Sequence, residues 1–253
     1  MFDGIIGALR RWWINLFRPH TKVLDRVALK KSIVGIAKSH DELFDPWIAA
    51  LPPSDRPRFS KDGIVDEAVF AKQRRKVLFV VLEPNTAESG AYSEFMGSDL
   101  REVWRTTPQK KEFNKNVARW TGLLLDNPRE YWTPTAEQGC AALRRVAIIN
   151  LKKIAGNGSK NVGAVRAFAL EHQARLIEQV RLIAPDIVFV CGDDVANVLR
   201  LLGSDVQSGV GRERWCNAVV FCGNHPSLRP KDAPAAYDRL HDALPSITIA
   251  LGR

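Results

Sequence analysis

The residues best suited to chemistry in this chain are an acid, an amide and an imidazole, and each one follows an apolar run. Residues 219–230 read Val-Val-Phe-Cys-Gly-Asn-His-Pro-Ser-Leu-Arg-Pro, which puts His225 on the turn after a β-branched stretch, with Pro226 stiffening the loop. Residues 146–150, Val-Ala-Ile-Ile-Asn, end on the amide of Asn150. Residues 76–82, Lys-Val-Leu-Phe-Val-Val-Leu, lead directly into Glu83. A carboxylate can orient or deprotonate a water, an amide can read the donor and acceptor edge of a base, and an imidazole can stabilise charge developing on a leaving group. Each also has a structural reading: a surface acid paired with a cation, a strand-end amide capping backbone, a His-Pro turn that only closes a loop.

These groups lie far apart in sequence, so the fold must bring them together. The runs 76–82, 146–150, 186–191 and 215–223 have the length and content of strands buried on both faces. Helical patterns separate them: 98–125, 165–183 (stopped by Pro185), 193–202 and 234–244. Strands alternating with helices imply crossovers and a parallel sheet. In such a sheet the strand ends line one edge, where ligands bind. Glu83, Asn150, Gly192 and His225 would share that edge. The expected fold is α/β, a three-layer sandwich around a central four-stranded parallel sheet. Residues 1–75 are expected as a helical N-terminal extension and 76–253 as the α/β domain, with 247–251 a short tail able to add an edge strand. A Pro-rich stretch at 51–58 reads as a linker or loop.

Composition narrows the function classes. The 253 residues are 45% hydrophobic and 26% charged, ordinary for a globular chain, but the formal net charge of +9 favours an anionic partner. The basic cluster at 72–76, Lys-Gln-Arg-Arg-Lys, is a solvated face or a phosphate contact. Cys140, Cys191, Cys216 and Cys222 form no Cys-x-x-Cys pair, so zinc-ribbon and thioredoxin spacings are absent. The glycine-containing stretch 156–163 lacks the Gly-Lys-Ser/Thr ending of a phosphate loop, and no Gly-x-Gly-x-x-Gly or Gly-x-Ser-x-Gly pattern occurs. These absences count against a nucleotide-binding transferase or hydrolase on a similar α/β sheet. No secretory leader or membrane-length apolar run is evident, and a cytoplasmic setting is expected. Residues 1–20 place Phe2, Ile5, Ile6, Leu9, Trp13, Leu16 and Phe17 at helical spacing beside Arg10, Arg11 and Arg18. That pattern suits packing on the chain's own domain, the expected role, and also contact with a partner or an acidic membrane. No obligate protein partner is evident.

In order along 76–244, these motifs resemble the uracil-DNA glycosylase superfamily. Val81-Leu82-Glu83-Pro84-Asn85 stands where the family carries Gly-x-(Asp, Asn or Ala)-Pro after its first strand. Glu88 and Glu94-Phe95-Met96-Gly97 look like the continuation seen in the iron–sulfur branch. Ile149-Asn150-Leu151-Lys152-Lys153 is similar to the family's strand ending in Asn. The helix–strand–helix of 176–202 and Asn224-His225-Pro226-Ser227 complete the set.

The resemblance implies a monofunctional DNA glycosylase that flips a base out of DNA and hydrolyses its N-glycosidic bond. Phe95 would stack on the base, Asn150 would read its edge, and Asn85 would line the pocket. Glu83, or alternatively Glu88, would position water, and His225 would stabilise the departing base. Lys153, Ser227, Leu228 and Arg229 would contact DNA, Leu228 and Arg229 as a wedge. The implied partner is DNA; no metal and no organic cofactor is implied, and the four-cysteine pattern of the iron–sulfur branch is absent. Val81 in place of Gly, Glu83 in place of a shorter residue and Asn85 in place of the classical Tyr all change the pocket. They point away from plain uracil alone and toward a C5-substituted cytosine of the phage type as a further candidate. The competing expectation is a catalytically silent nucleic-acid-binding module of the same fold.

Overall fold

The computed structural model describes residues 37–84, 99–106, 112–127, 130–155, 161–204 and 210–252. Among them a six-stranded sheet runs in the order β1-β3-β2-β4-β6-β5. The strands are β1 (Gly63–Ile64), β2 (Val77–Val81), β3 (Ala147–Asn150), β4 (Ile187–Cys191), β5 (Val210–Trp215) and β6 (Ala218–Gly223). The inner four, β3-β2-β4-β6, are parallel, and the edges β1 and β5 are antiparallel to their neighbours. The expected parallel strands are therefore present, with an antiparallel strand added on each side.

Nine α-helices among the described residues cover the sheet: α1 (His40–Ala50), α2 (Glu67–Ala71), α3 (Leu100–Thr106), α4 (Glu112–Asp126), α5 (Ala136–Leu143), α6 (Val162–Glu171), α7 (Gln173–Ile183), α8 (Asp193–Leu201) and α9 (Ala233–Ala250). Side chains alternate across the strands, so each face of the sheet has its own core. Leu78 and Val80 of β2 pack with α1, α6, α7 and α8. Val77, Phe79 and Val81 pack with α3, α4, α5 and α9. All five β2 residues are buried, as a strand covered on both faces requires.

The strand starts are tied together by Asp186. Its Oδ2 accepts from the Lys76 N–H at 2.8 Å, its own N–H donates to Lys76 O at 2.8 Å, and its carbonyl accepts from Val219 N–H at 2.9 Å. This places 72–76 at the start of β2, the opposite end of the strand from Glu83.

Several expectations change. Residues 37–75 are part of the α/β domain, because Ala37–Arg253 form one compact unit. Phe44, Trp47 and Phe59 sit in the same core as β2, and β1 pairs with β3. The segment 51–58, expected as a linker or loop, is a loop within that domain: Arg56 donates to the carbonyls of Leu51 and Ala49, each at 2.9 Å, and Leu51 is buried. The pattern over 98–125 holds α3 and α4 among the described residues, and that over 165–183 breaks at His172 into α6 and α7. There the His172 ring packs on Phe168 at 4.3 Å and on Trp47 at 5.5 Å. Residues 247–250 continue α9 and form no strand, because Ile247 is buried while Ile249 faces solvent. Residues 1–36, with the amphipathic stretch 1–20, lie outside the described residues. No helix among the described residues is long and apolar enough to cross a membrane.

Candidate functional site

The parallel core sets the carboxyl ends of β3, β2, β4 and β6 side by side. Val81 pairs with Asn150 and Cys191 with Gly223. Asn150 ends β3, Glu83 lies two residues past β2, Gly192 follows β4, and His225 lies two residues past β6. Three strand spacings, about 14 Å, separate β3 from β6. A ligand touching both Asn150 and His225 must therefore cross the ends of β2 and β4, over Glu83 and Gly192.

At the β3 end a buried polar hub surrounds Asp62, the residue before β1. Asp62 Oδ2 accepts from the Asn150 main-chain N–H at 2.8 Å and from Asn150 Nδ2 at 3.0 Å. Its Oδ1 accepts from Lys153 Nζ at 2.6 Å and from Gln179 Nε2 of α7 at 2.8 Å. Gln179 Nε2 also donates to the Asp62 carbonyl at 3.1 Å. Asp62, Lys153 and Gln179 are fully buried and Asn150 is 2% exposed. Burial pushes the Lys153 ammonium below its usual value, opposed by the Asp62 charge and hydrogen bond. This corrects the expectation that Lys153 reaches DNA phosphate. Its charge is neutralised inside the domain, and removing either partner leaves the other buried and uncompensated.

At the β2 end, Glu83 Oε2 accepts from Lys152 Nζ at 2.6 Å, with side-chain exposures of 11% and 15%. The pairing between strands carries on past their ends, since Leu151 and Lys152 donate to the carbonyls of Val81 and Leu82, each at 2.9 Å. Glu83 and Lys152 are thus held on adjacent, hydrogen-bonded backbones. The carboxylate keeps lone pairs for a water while one oxygen accepts from the ammonium.

At the β6 end, the Ser227 N–H donates to His225 Nδ1 at 3.1 Å. A ring accepting at Nδ1 carries its neutral-state proton on Nε2, so Nε2 is the donor side of the imidazole. The loop is fastened from α4. Asn116 Nδ2 donates to Pro226 O at 2.7 Å, and Asn116 Oδ1 accepts from Arg119 Nη1 at 2.6 Å. Arg119 Nε donates to Trp132 O at 2.8 Å, and its guanidinium lies over the Tyr131 ring. Arg239 Nη2 donates to Asn224 Oδ1 at 2.6 Å on the preceding residue. Gly192 approaches His225 closely: a Cβ there would stand 3.7 Å from both Cβ and N of His225, and its φ of +98° favours glycine.

The remaining expected residues divide. Ser227 and Arg229 are exposed on the loop after His225. Leu228, expected as a wedge residue, is half-buried against the α9-side core. Asn85, Glu88 and Phe95 lie outside the described residues. Among the described residues no group of three or more His, Cys, Asp or Glu is placed to hold a metal ion.

Sequence reasoning missed Asp62, Gln179, Asn116 and Arg119. Asp62 fell within a stretch expected to be helical, although the Asp62-Gly63 pair ahead of Ile64-Val65 is a usable turn signal. Asn116 and Arg119 are polar residues three apart on a helix, a spacing that by itself reads as a solvated face.

No family model matches this chain, and no curated protein matches it.

Proposed function

We propose that this protein is a DNA glycosylase of the uracil-DNA glycosylase type, which hydrolyses the N-glycosidic bond of a flipped pyrimidine and leaves an abasic site. The observation that carries the reading is the row of three groups at one sheet edge: an amide held by a buried carboxylate, an acid held by a lysine, and an imidazole held with Nε2 as its donor side. Asn150 reads the base edge. As the bond from C1′ to the base nitrogen breaks, the electron pair leaves with the base, and the His225 Nε2–H stabilises that negative charge. A water held by Glu83 adds to the oxocarbenium-like C1′ and passes its proton to the carboxylate. The base is protonated on release, so the reaction consumes one water. The Lys152 ammonium occupies one Glu83 oxygen and leaves the other to orient the water.

The net charge of +9 supports an anionic polymer as partner. Candidate bases are uracil and a C5-substituted cytosine of the phage type. The test is incubation with uracil-containing, mismatched, hydroxymethylated and glucosylated DNAs, followed by alkaline cleavage at abasic sites. Cleavage of at least one substrate is expected, with single-turnover rates about 10²–10³-fold lower but still measurable in Asn150→Ala and His225→Ala.

A second reading, a catalytically silent DNA-binding module, draws on one observation: both Asn150 and Glu83 are engaged by residues of the chain itself. Salt-sensitive DNA binding with no abasic product on any substrate would select it.

A further inference from the structure

We propose that Asp62 is a positioning residue for base recognition, fixing which end of the Asn150 amide faces the substrate; the inference rests on the glycosylase reading. An asparagine amide is nearly symmetric in shape, and only its hydrogen-bond partners decide where oxygen and nitrogen lie. An ionised carboxylate accepts and cannot donate. With Asp62 Oδ2 3.0 Å from Asn150 Nδ2, the reverse orientation would set two oxygens against each other inside the protein.

The same carboxylate oxygen takes the Asn150 main-chain N–H, so backbone and side chain are tied to one point. Lys153 balances the charge from within the hub, and Gln179 fills the remaining acceptor site on Oδ1. No described residue donates to Asn150 Oδ1. Asn150 therefore offers its ligand a fixed Oδ1 acceptor and the second Nδ2 hydrogen. The matching edge has an N–H donor beside an acceptor: N3–H with O4 in a uracil-type base, or N4–H with N3 in a cytosine-type base. A pyrimidine with that N–H methylated does not match. Asp62 is 88 residues from Asn150 in sequence and has no exposed surface of its own. It acts only through Asn150.

The test is a mutant cycle on the DNA that the wild-type chain cleaves, with kcat and KM measured alongside thermal unfolding. Asp62→Leu with Lys153→Met removes the acceptor and the buried charge together, a replacement that buried ion pairs often tolerate. It is expected to lower kcat/KM by about 10–100-fold, the range seen when partners that orient metal-ligating side chains are removed. In an Asn150→Ala background the same pair should cost nothing further. Asp62→Asn with Lys153→Met should restore activity to within a few-fold of wild type. The new amide can keep its oxygen toward Asn150 and place its nitrogen where Oδ1 stood; Gln179 then flips to present Oε1, which is buried without a hydrogen-bond partner, and gives up its Nε2 bond to the residue 62 carbonyl.

A folded Asp62→Leu/Lys153→Met protein with wild-type kcat/KM overturns the inference, and so does an equal loss in the Asn150→Ala background. Independently of any variant's folding, the Asn150 Nδ2 hydrogen bonded to Asp62 should exchange slowly in the NMR spectrum of the wild-type chain. Exchange at the rate of a surface amide overturns it. A wild-type chain that makes no abasic site on any DNA overturns the glycosylase reading, and this inference with it.

Discussion

Gly223 closes β6 two residues before His225, and replacing it with alanine tests how the sheet holds the imidazole. The added methyl would overlap Phe189 Cζ, stand 2.7 Å from Phe189 Cε1 and 3.0 Å from Phe221 Cε1. Phe189 has nowhere to retreat. It is 1% exposed, stacked on Trp120 at 4.9 Å between ring centres, and packed on Phe79 at 5.1 Å and Phe221 at 5.3 Å. Overpacking a close-packed core costs about 1–3 kcal/mol. For a chain of this size each kcal/mol lowers the melting temperature by roughly 2–4 °C, so the expected fall is roughly 2–12 °C. Calorimetric or circular-dichroism melting measures it. Phe189→Leu removes the ring that the methyl meets. The double variant should therefore be more stable than the sum of the single losses by about 1 kcal/mol or more. Cys191 pairs with Gly223 across β4 and β6, so a shift there also moves the loop carrying His225, and activity should fall further than the unfolded fraction explains. A melting temperature equal to wild type, or strictly additive losses, would refute the reasoning.

Burial, with Arg101 adding to it, pushes His40 down to about 4, so the folded state holds it neutral while the unfolded chain protonates it near 6.5. The stability it contributes, at most roughly 3 kcal/mol, is present above pH 6.5 and lost as pH falls through that range toward 4. His172, also lowered by burial, adds with the same sign, and urea titrations from pH 7.5 to 4 should show less of this slope in His40→Gln. Asn116→Ala takes the partner from Pro226 O and one acceptor from Arg119. It should cost about 1–3 kcal/mol in chemical denaturation and lower kcat with KM nearly unchanged. Binding to a DNA duplex should weaken steeply as salt is raised from 50 to 200 mM, and fluorescence anisotropy showing no salt dependence would remove the phosphate contacts from the account.

The inner sheet was legible because β2, β3, β4 and β6 are runs of Val, Ile, Leu and Phe buried on both faces, which few other elements resemble. The edge strands were not. β1 is two residues long, and β5 pairs with β6 through a tight reversal in which Cys216 and Asn217 both have positive φ, a feature that local composition does not announce. The break at His172 has no Pro or Gly to mark it, and aromatic packing onto Trp47 sets it. Ile247-Thr248-Ile249 has strand-like composition, yet packing of Ile247 on the core carries the helix through Pro245.

At the site, the strand-end residues were legible because topology alone lines them up. Their partners were not, since a hydrogen bond between Asp62 and Asn150 leaves no local pattern in the sequence. The role of Lys153 was misread for the same reason: a lysine three residues past a strand looks solvated until its buried counter-ion is seen.

The most direct test of the central claim is mass-spectrometric detection of the free base released from DNA, quantified against abasic sites in the same reaction. The account predicts one pyrimidine released per abasic site, at rates about 10²–10³-fold lower in Asn150→Ala or His225→Ala that remain folded. Tight DNA binding with no base released from uracil-containing or C5-modified DNA would contradict it.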